Sequence, residues 1–280
     1  MTVVEAPAAT SKAWDRFWFS PAPAARAELF RRLVAAFVVV DLVFIHSFLG
    51  QHGSDDTDLY QPLLIGRVLP LPVPTDLVVW AVAAVVLACS GLTLAGRANR
   101  LVGAALALGY LQWLVIDFSY GKVDHDRFPI VLALFVLASL RPTSLDDRRS
   151  SAAAGWVLRC VQVGVVSVYF LSAVAKVRYG GWLWANSATL TQALVRRGTS
   201  LGRSLLDTPN VLVAAQWLAV AFEVASPLML RRSRLGAAMV LLAIGFHVVT
   251  WSMLTIGFYP QVLCLTAFFP LERLVSAARR

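Results

Sequence analysis

The stretch AAAGWVLRCVQVGVVSVYFLSAVAKVRYGGW, residues 152–182, decides the fold. It is apolar over most of its length as far as Ala175, then reaches Lys176 and stops at Gly180 and Gly181. An α-helix needs about 20 mostly apolar residues to cross a bilayer, whereas the strands of a membrane barrel are alternating segments of about ten residues. The stretch therefore predicts a transmembrane helix that ends in a glycine turn.

Similar apolar runs recur along most of the chain. Of its 280 residues, 58% are hydrophobic and 15% are charged, against about 45–50% and 25% in a soluble domain. The mean hydropathy is +0.69. The sequence predicts an all-α, polytopic transmembrane helical bundle of about eight helices in contact with the lipid bilayer. The predicted spans are residues 29–49, 76–96, 100–119, 127–140, 152–175, 210–230, 235–251 and 254–270.

The basic residues predict the orientation of the bundle. The net charge of +9 comes from residues in short gaps between apolar runs, which argues against nucleic-acid binding. Most arginines fall in alternate gaps on the side of the N-terminal segment, so both termini are predicted to be cytoplasmic, in a multi-pass protein of the cell membrane. The loop 176–209 is basic although it falls on the opposite side, and we expect it to lie on the outer surface.

Composition divides the chain into three parts. Residues 1–28 form an N-terminal tail, disordered over 1–10, in which tryptophans and phenylalanines among basic residues predict a short interfacial helix. No cleavable signal peptide is evident there. Residues 29–270 form the transmembrane domain, and residues 271–280 form a basic cytoplasmic tail. The three cysteines lie singly inside apolar runs, so neither a disulfide framework nor a metal cluster is expected.

A polar stripe marks the helix that contains Lys176. Gln162, Tyr169 and Lys176 are spaced by seven residues, and Ser172 comes four before the lysine, so all four lie on one helix face. Such a face is expected to point into the bundle and not toward lipid. Two interpretations of Lys176 stay open: a side chain that reaches up to the headgroups, and a partly desolvated amine that acts as a base.

Other ionisable residues fall inside or at the ends of the predicted spans. Glu223 lies deep in an apolar run and His247 lies inside the seventh span, positions that make a residue either a functional candidate or a buried partner for another helix. His125 follows Asp124 in a short outer loop and is either solvated or a partner for a substrate group. Further polar residues lie within a predicted span or near its outer end; they are Asp41, Asp117, His46 and His52.

Six segments resemble a known family. They are FWFSPAPAARAELFRRLVAAF (17–37), LYQPLLIGRVLPLPVPTDLVVW (59–80), DHDRF (124–128), YFLSAVAKVRYGGW (169–182), FEVASPL (222–228) and FHVVTWSMLTIGFYP (246–260). On these motifs the chain resembles, over about residues 17–270, the membrane domain of vitamin K-dependent gamma-glutamyl carboxylase and its bacterial relatives with an HTTM (horizontally transferred transmembrane) domain.

The resemblance implies a chemistry and a set of residues. The carboxylase oxidises reduced vitamin K with O2, and the strong base so formed removes a proton from a glutamate to which CO2 then adds. By position, Lys176 corresponds to the lysine that deprotonates the hydroquinone, and His125 corresponds to the histidine that assists it. Asp124 stands where the family has asparagine. We predict that His247, Glu223, Tyr169 and Asp124 bind the cofactor, which would be reduced vitamin K or menaquinol, and no metal is expected.

One departure from the family keeps two functions open. Carboxylases carry a large lumenal domain after the membrane part, whereas this sequence ends at Arg280, soon after the last predicted span. The first function is a quinol-dependent enzyme of the carbon–carbon lyase or monooxygenase type, with a partner protein supplying the outer domain for a glutamate-containing substrate. The alternative is a non-catalytic membrane subunit or a lipid- or quinone-binding module.

Overall fold

The computed structural model describes residues 9–45, 51–69 and 71–277, and these residues fold almost entirely into helices. Two compact units are present: residues 1–161 with 269–280 form the first, and residues 162–268 form the second. His46 lies outside the described residues, as do positions 1–8 of the predicted disordered tail. The all-α class predicted from the sequence is confirmed.

The first unit is built on four packed helices. They are α2 (Ala24–Val40), α4 (Asp76–Leu94), α5 (Arg100–Tyr120) and α6 (Phe128–Ala138), after α1 (Ala9–Trp18) and with the short α3 (Leu64–Val68) between α2 and α4. Side chains that are almost fully buried, among them Phe30, Val79, Ile116 and Ile130, fill the space between them. Helix α2 continues as a π-helix, Asp41–Ile45, a form that is rare and is often found at functional sites.

Helix α7 (Ala152–Gly180) begins in the first unit and continues into the second. The other helices of the second unit are α8 (Thr189–Arg197), α9 (Ser200–Arg203), α10 (Pro209–Ala225), α11 (Arg234–Leu254) and α12 (Tyr259–Leu265). Leu194, Leu212 and Leu254 form a buried cluster that joins α8, α10 and α11. The basic loop 176–209 is therefore largely helical and packs against its own unit.

Side-chain caps explain where several helices begin. Thr75, Asn99 and Ser233 precede α4, α5 and α11, and each side chain accepts a hydrogen bond from the backbone N–H three residues later. Such a cap satisfies a backbone donor that has no partner within the helix. At the other end, Gly181 adopts a left-handed φ of 77°, which terminates α7 where the sequence predicted a glycine turn.

Five of the eight predicted spans are helices that are long and apolar enough to cross a membrane. They are Asp76–Leu94, Arg100–Tyr120, Ala152–Gly180, Pro209–Leu230 and Arg234–Leu254. Between 28% and 50% of each apolar window is buried inside the protein, so many of the remaining side chains are available to lipid. The predicted spans 127–140 and 254–270 correspond to shorter helices, and α6 at 11 residues is only about 17 Å long. The described part of span 29–49 lies in α2 and its π-helical continuation, which differ from the five by their charged residues, among them Glu28, Arg31, Arg32 and Asp41. The number eight stays a prediction.

The two chain ends of the first unit are tied together. Arg26 in α2 donates hydrogen bonds of 2.7 and 2.8 Å to the two carboxylate oxygens of Glu272, in the terminal helix α13 (Glu272–Ala277). Arg148 donates to the Glu272 carbonyl at 2.7 Å. Strand β1 (Ala22–Pro23) pairs antiparallel with β2 (Ser150–Ser151), which brings the start of α2 beside the start of α7.

Candidate functional site

Lys176 and Glu223 form a closed pair in the second unit. The Lys176 Nζ lies 2.6 Å from Oε1 and 2.8 Å from Oε2 of Glu223, so one amine on α7 contacts both oxygens of a carboxylate on α10. The Glu223 side chain is 7% exposed and the Lys176 side chain is 23% exposed. The two residues were predicted separately from the sequence, and the structure brings them together.

The glycine turn after α7 places an aromatic ring beside the amine. A Cβ at position 180 would overlap the Trp184 ring, so Gly180 is what lets that ring pack against the end of the helix. The centroid of the ring lies 5.3 Å from Lys176 Nζ, a distance typical of a cation–π contact. Trp184 was not singled out from the sequence, although its position just after the glycine pair was a usable signal.

A second polar pair lies on the same stripe, about two helical turns before Lys176. The Tyr169 hydroxyl and His247 Nε2, on α7 and α11, are 2.6 Å apart. At about 1.5 Å per residue, seven residues place Tyr169 about 10 Å from Lys176 along the helix axis. The Gln261 side chain, on α12, also interacts with the Tyr169 hydroxyl. The predicted stripe thus points at other helices of its own unit, as does Gln162, which donates to the Ala267 carbonyl at 2.9 Å.

Two buried polar atoms beside this pair have no hydrogen-bond partner in the described part of the chain. They are His247 Nδ1 and Gln261 Oε1, on side chains that belong to residues 6% and 1% exposed. The Gln261 amide nitrogen is already used, because it donates to the Val165 carbonyl at 3.0 Å. Buried polar groups are nearly always paired, so these two atoms are the ones in this cluster that could hydrogen-bond to a ligand.

Aromatic rings surround the histidine. The ring of Phe222 lies 5.1 Å from that of Tyr169, and the rings of Phe246 and Phe258 lie 5.4 and 5.2 Å from that of His247. Centroid separations of 4.5–7 Å are those of packed aromatic pairs. The second unit thus holds a polar pair inside an apolar, aromatic shell.

His125 and Asp124 belong to the first unit. His125 is exposed at the start of the short helical turn His125–Arg127, and Asp124 lies 3.1 Å from Lys122 Nζ in an exposed pair. The next residue, Asp126, is 8% exposed, and burial raises the pKa of its carboxyl group to about 6. The structure thus brings Lys176 to Glu223 and Tyr169 to His247, while His125 and Asp124 lie in the other compact unit.

A buried charge network in the first unit was missed by sequence reasoning. Arg127 forms an ion pair with Asp41, and its Nη1 lies 2.8 Å from the Tyr110 hydroxyl, which in turn donates to Asp41 at 2.8 Å. Asp41 and Tyr110 are fully buried and Arg127 is 4% exposed. The only signal in the sequence was an aspartate within an apolar helix, which does not reveal its partner. Asp117, also noted from the sequence, is half-buried near the end of α5.

The family comparison agrees with the motifs noted in the sequence. The family model of the HTTM domain matches residues 19–272, which is nearly the whole chain. No curated protein and no solved structure matches the chain. Together with five helices, within the described residues, that are long and apolar enough to cross a membrane, this match identifies the chain as an integral membrane protein that belongs to the HTTM domain family.

Proposed function

We propose that this HTTM protein is a membrane enzyme that deprotonates a bound hydroquinone, reduced vitamin K or menaquinol, with the Lys176 amine as base at the outer face of the cell membrane. The observation that carries the proposal is the contact of Lys176 Nζ with both oxygens of Glu223. A bound hydroquinone supplies two hydroxyl protons and can give two electrons to O2. The resemblance to the carboxylase extends the proposal to carboxylation-type chemistry on a glutamate-containing substrate.

The second unit fits a flat, lipid-soluble ring with polar edges. Phe222, Phe246 and Phe258 provide aromatic surface, and His247 Nδ1 and Gln261 Oε1 are buried polar atoms that need a partner. A hydroquinone hydroxyl can donate to either atom, or accept from Nδ1 when that nitrogen carries the proton. The Tyr169 hydroxyl fixes the other nitrogen of the same imidazole at 2.6 Å, which sets the orientation of the ring.

Glu223 has two tasks in this proposal. It fixes the position of Nζ through two oxygens, so the amine does not swing among the rotamers of a free lysine. It is also the nearest acceptor for the proton that Nζ must release before it can act as a base. Glu223 is then a neutral carboxylic acid, and it has to pass that proton on to water before its carboxylate can stabilise the ammonium that forms when Nζ takes a proton from a substrate hydroxyl. The Trp184 ring, 5.3 Å from Nζ, adds a cation–π contact to the ammonium form of the lysine.

A non-catalytic role is the second candidate, and the same pair favours it for a different reason. The charges of Lys176 and Glu223 neutralise each other, so the pair is complete without a substrate. Its role would then be to hold α7 against α10. On this alternative the protein is a membrane subunit or a lipid- or quinone-binding module, and a ligand or partner protein binds without being transformed.

Quinol turnover tests the proposal. The protein is purified in detergent and supplied with reduced vitamin K or menaquinol, O2, bicarbonate and a short glutamate-containing peptide, and the quinone epoxide and the peptide mass are read by mass spectrometry. We expect epoxide from the wild type and from Lys12→Met, which removes an exposed lysine from α1, and none from Lys176→Met. Equal epoxide from the folded Lys176→Met variant would rule out the lysine as base.

A further inference from the structure

The first unit contains an open cavity of about 460 Å³ that plays no part in the proposed chemistry. Its walls are the first half of α2 and the segment that joins α6 to α7, with Arg31, Arg141 and Arg149 among the lining residues. A volume of this size is within the range of small-molecule sites. The positive-inside pattern predicts that this end of the unit faces the cytoplasm.

Arg31 has hydrogen-bonding capacity that the protein does not use. The residue is 8% exposed, yet its Nε has no partner in the described part of the chain. Its Nη2 donates to the carbonyls of Leu137 and Leu140 at 3.4 and 3.2 Å, and its Nη1 lies 3.5 Å from Glu28, which is long for a charge-assisted bond. A buried guanidinium with unused donors is the group that recognises planar or tetrahedral oxyanions.

The acidic residues of the cavity are already neutralised. Glu28 is shared between Arg31 and Arg32 and accepts from the Thr143 backbone N–H. Asp147 accepts hydrogen bonds from the side chain and from the backbone N–H of Arg149. The side-chain bond is the main reason that the pKa of the Asp147 carboxyl group lies well below its usual range. Neither carboxylate is therefore free to bind a cation or to balance another arginine.

The remaining positive charge is that of Arg141. It is exposed at the rim, with no hydrogen-bond or ion-pair partner among residues 9–45, 51–69 and 71–277. The backbone donors at the start of α2 are occupied, since Ala24 and Ala25 donate to the carbonyls of Arg149 and Asp147. A separate space of about 20 Å³ beside Arg31 holds at most one water molecule, so any larger group has to enter from the main cavity.

We infer that this cavity binds a phosphate group, with the Arg31 guanidinium at its wall and Arg141 at its rim. The phosphate belongs either to an anionic phospholipid headgroup or to a soluble phosphorylated compound. A basic pocket between membrane helices on the cytoplasmic side is the setting in which anionic headgroups are held. The site is separate from the Lys176–Glu223 pair and does not depend on the proposed catalysis.

Lipid retention and thermal unfolding test the inference on the whole protein. Wild type is reconstituted in phosphatidylcholine with and without phosphatidylglycerol, and the lipids that stay bound after transfer to detergent are counted by native mass spectrometry. In parallel, the unfolding midpoint in detergent is measured with and without inorganic phosphate. We compare Arg141→Gln with Arg100→Gln, which removes the same charge from an exposed arginine on the same predicted face outside the cavity.

We expect wild type and Arg100→Gln to bind the probe alike and Arg141→Gln to bind it about tenfold more weakly, because a charge-assisted hydrogen bond is lost. If phosphatidylglycerol is retained selectively and inorganic phosphate does not raise the unfolding midpoint, the site is assigned to a lipid. If inorganic phosphate raises the unfolding midpoint of wild type but not that of Arg141→Gln, the site is assigned to a soluble compound.

Two results would overturn the inference. One is an equal loss of binding in Arg100→Gln and Arg141→Gln, which would mean general surface attraction. The other is that neither probe binds to wild type. Arg31→Lys adds an internal check, because it keeps the buried charge but removes the planar fork and the bonds to the Leu137 and Leu140 carbonyls. Its unfolding midpoint should fall, so binding is measured as the shift that each probe adds to the variant's own midpoint, and that shift should be smaller than in wild type.

Discussion

Separating the two roles of the Lys176–Glu223 pair requires three variants and two readouts. Lys176→Met removes the ammonium and leaves the Glu223 carboxylate 7% exposed without its partner. Removing one partner of a buried ion pair lowers the free energy of unfolding by about 3–5 kcal/mol. Because the lysine is partly exposed, we expect this variant at the lower end of that range, about 3 kcal/mol. Glu223→Leu leaves a lysine that is 23% exposed and long enough to reach water, so we expect only about 1 kcal/mol.

The double variant Lys176→Met with Glu223→Leu decides between catalysis and packing. Replacement of a buried ion pair by apolar residues is often close to neutral, so its stability should return to within about 1 kcal/mol of wild type. The coupling free energy between the two sites is then about 3 kcal/mol. If the amine is a base, quinol turnover stays absent although the fold is restored.

The assay is unfolding in a detergent titration, followed on the same samples by quinol turnover. Lys12→Met is the control, because Lys12 is exposed on α1 and its loss should change stability by less than about 0.5 kcal/mol. The reasoning about desolvation would be refuted by a Lys176→Met variant as stable as this control. Wild-type turnover by the double variant would refute the assignment of Lys176 as the base and leave the structural role.

Three further predictions concern the first unit. Burial raises the pKa of Asp126 to about 6, so wild type should lose up to about 3 kcal/mol of stability as pH rises from about 4 to 6. Asp126→Asn should abolish that loss, which a pH series of unfolding midpoints would measure. Arg127→Lys shortens the side chain and withdraws its donor from Asp41 and Tyr110, so it should cost about 2–3 kcal/mol in chemical unfolding. An unchanged midpoint would mean that the buried network is not needed for stability. The hydrogen bond from Arg26 lowers the pKa of Glu272, so its contribution is present above about pH 4 and is lost as pH falls; Glu272→Gln should remove about 1 kcal/mol at neutral pH and nothing in acid.

Hydropathy was enough to predict the long helices, because a span depends on local composition. The polar stripe of α7 was also predictable, because a spacing of seven residues fixes one helix face whatever the partner is. What the sequence could not give was the pairing: Lys176 and Glu223 are 47 residues apart, and each was as compatible with a lone buried group as with an ion pair.

The same limit applies to the first unit. Arg127 was not singled out from the sequence, yet it is buried against Asp41, 86 residues earlier. No local pattern marks the π-helix that begins at Asp41, since a change in backbone hydrogen bonding leaves no composition signal. His125 was predicted to assist a base. It is exposed in the first unit, and its role stays a prediction.

The contact between Arg26 and Glu272 has a consequence for biosynthesis. The two residues are 246 positions apart, and a ribosome adds about 5–20 residues per second, so Glu272 is made roughly 12 to 50 seconds after Arg26. During that interval helix α2 has been synthesised while its partner is still being translated. The contact cannot form until α4 to α12 have been made, so this end of the first unit has to stay open while they are synthesised and closes only when the segment around Glu272 follows.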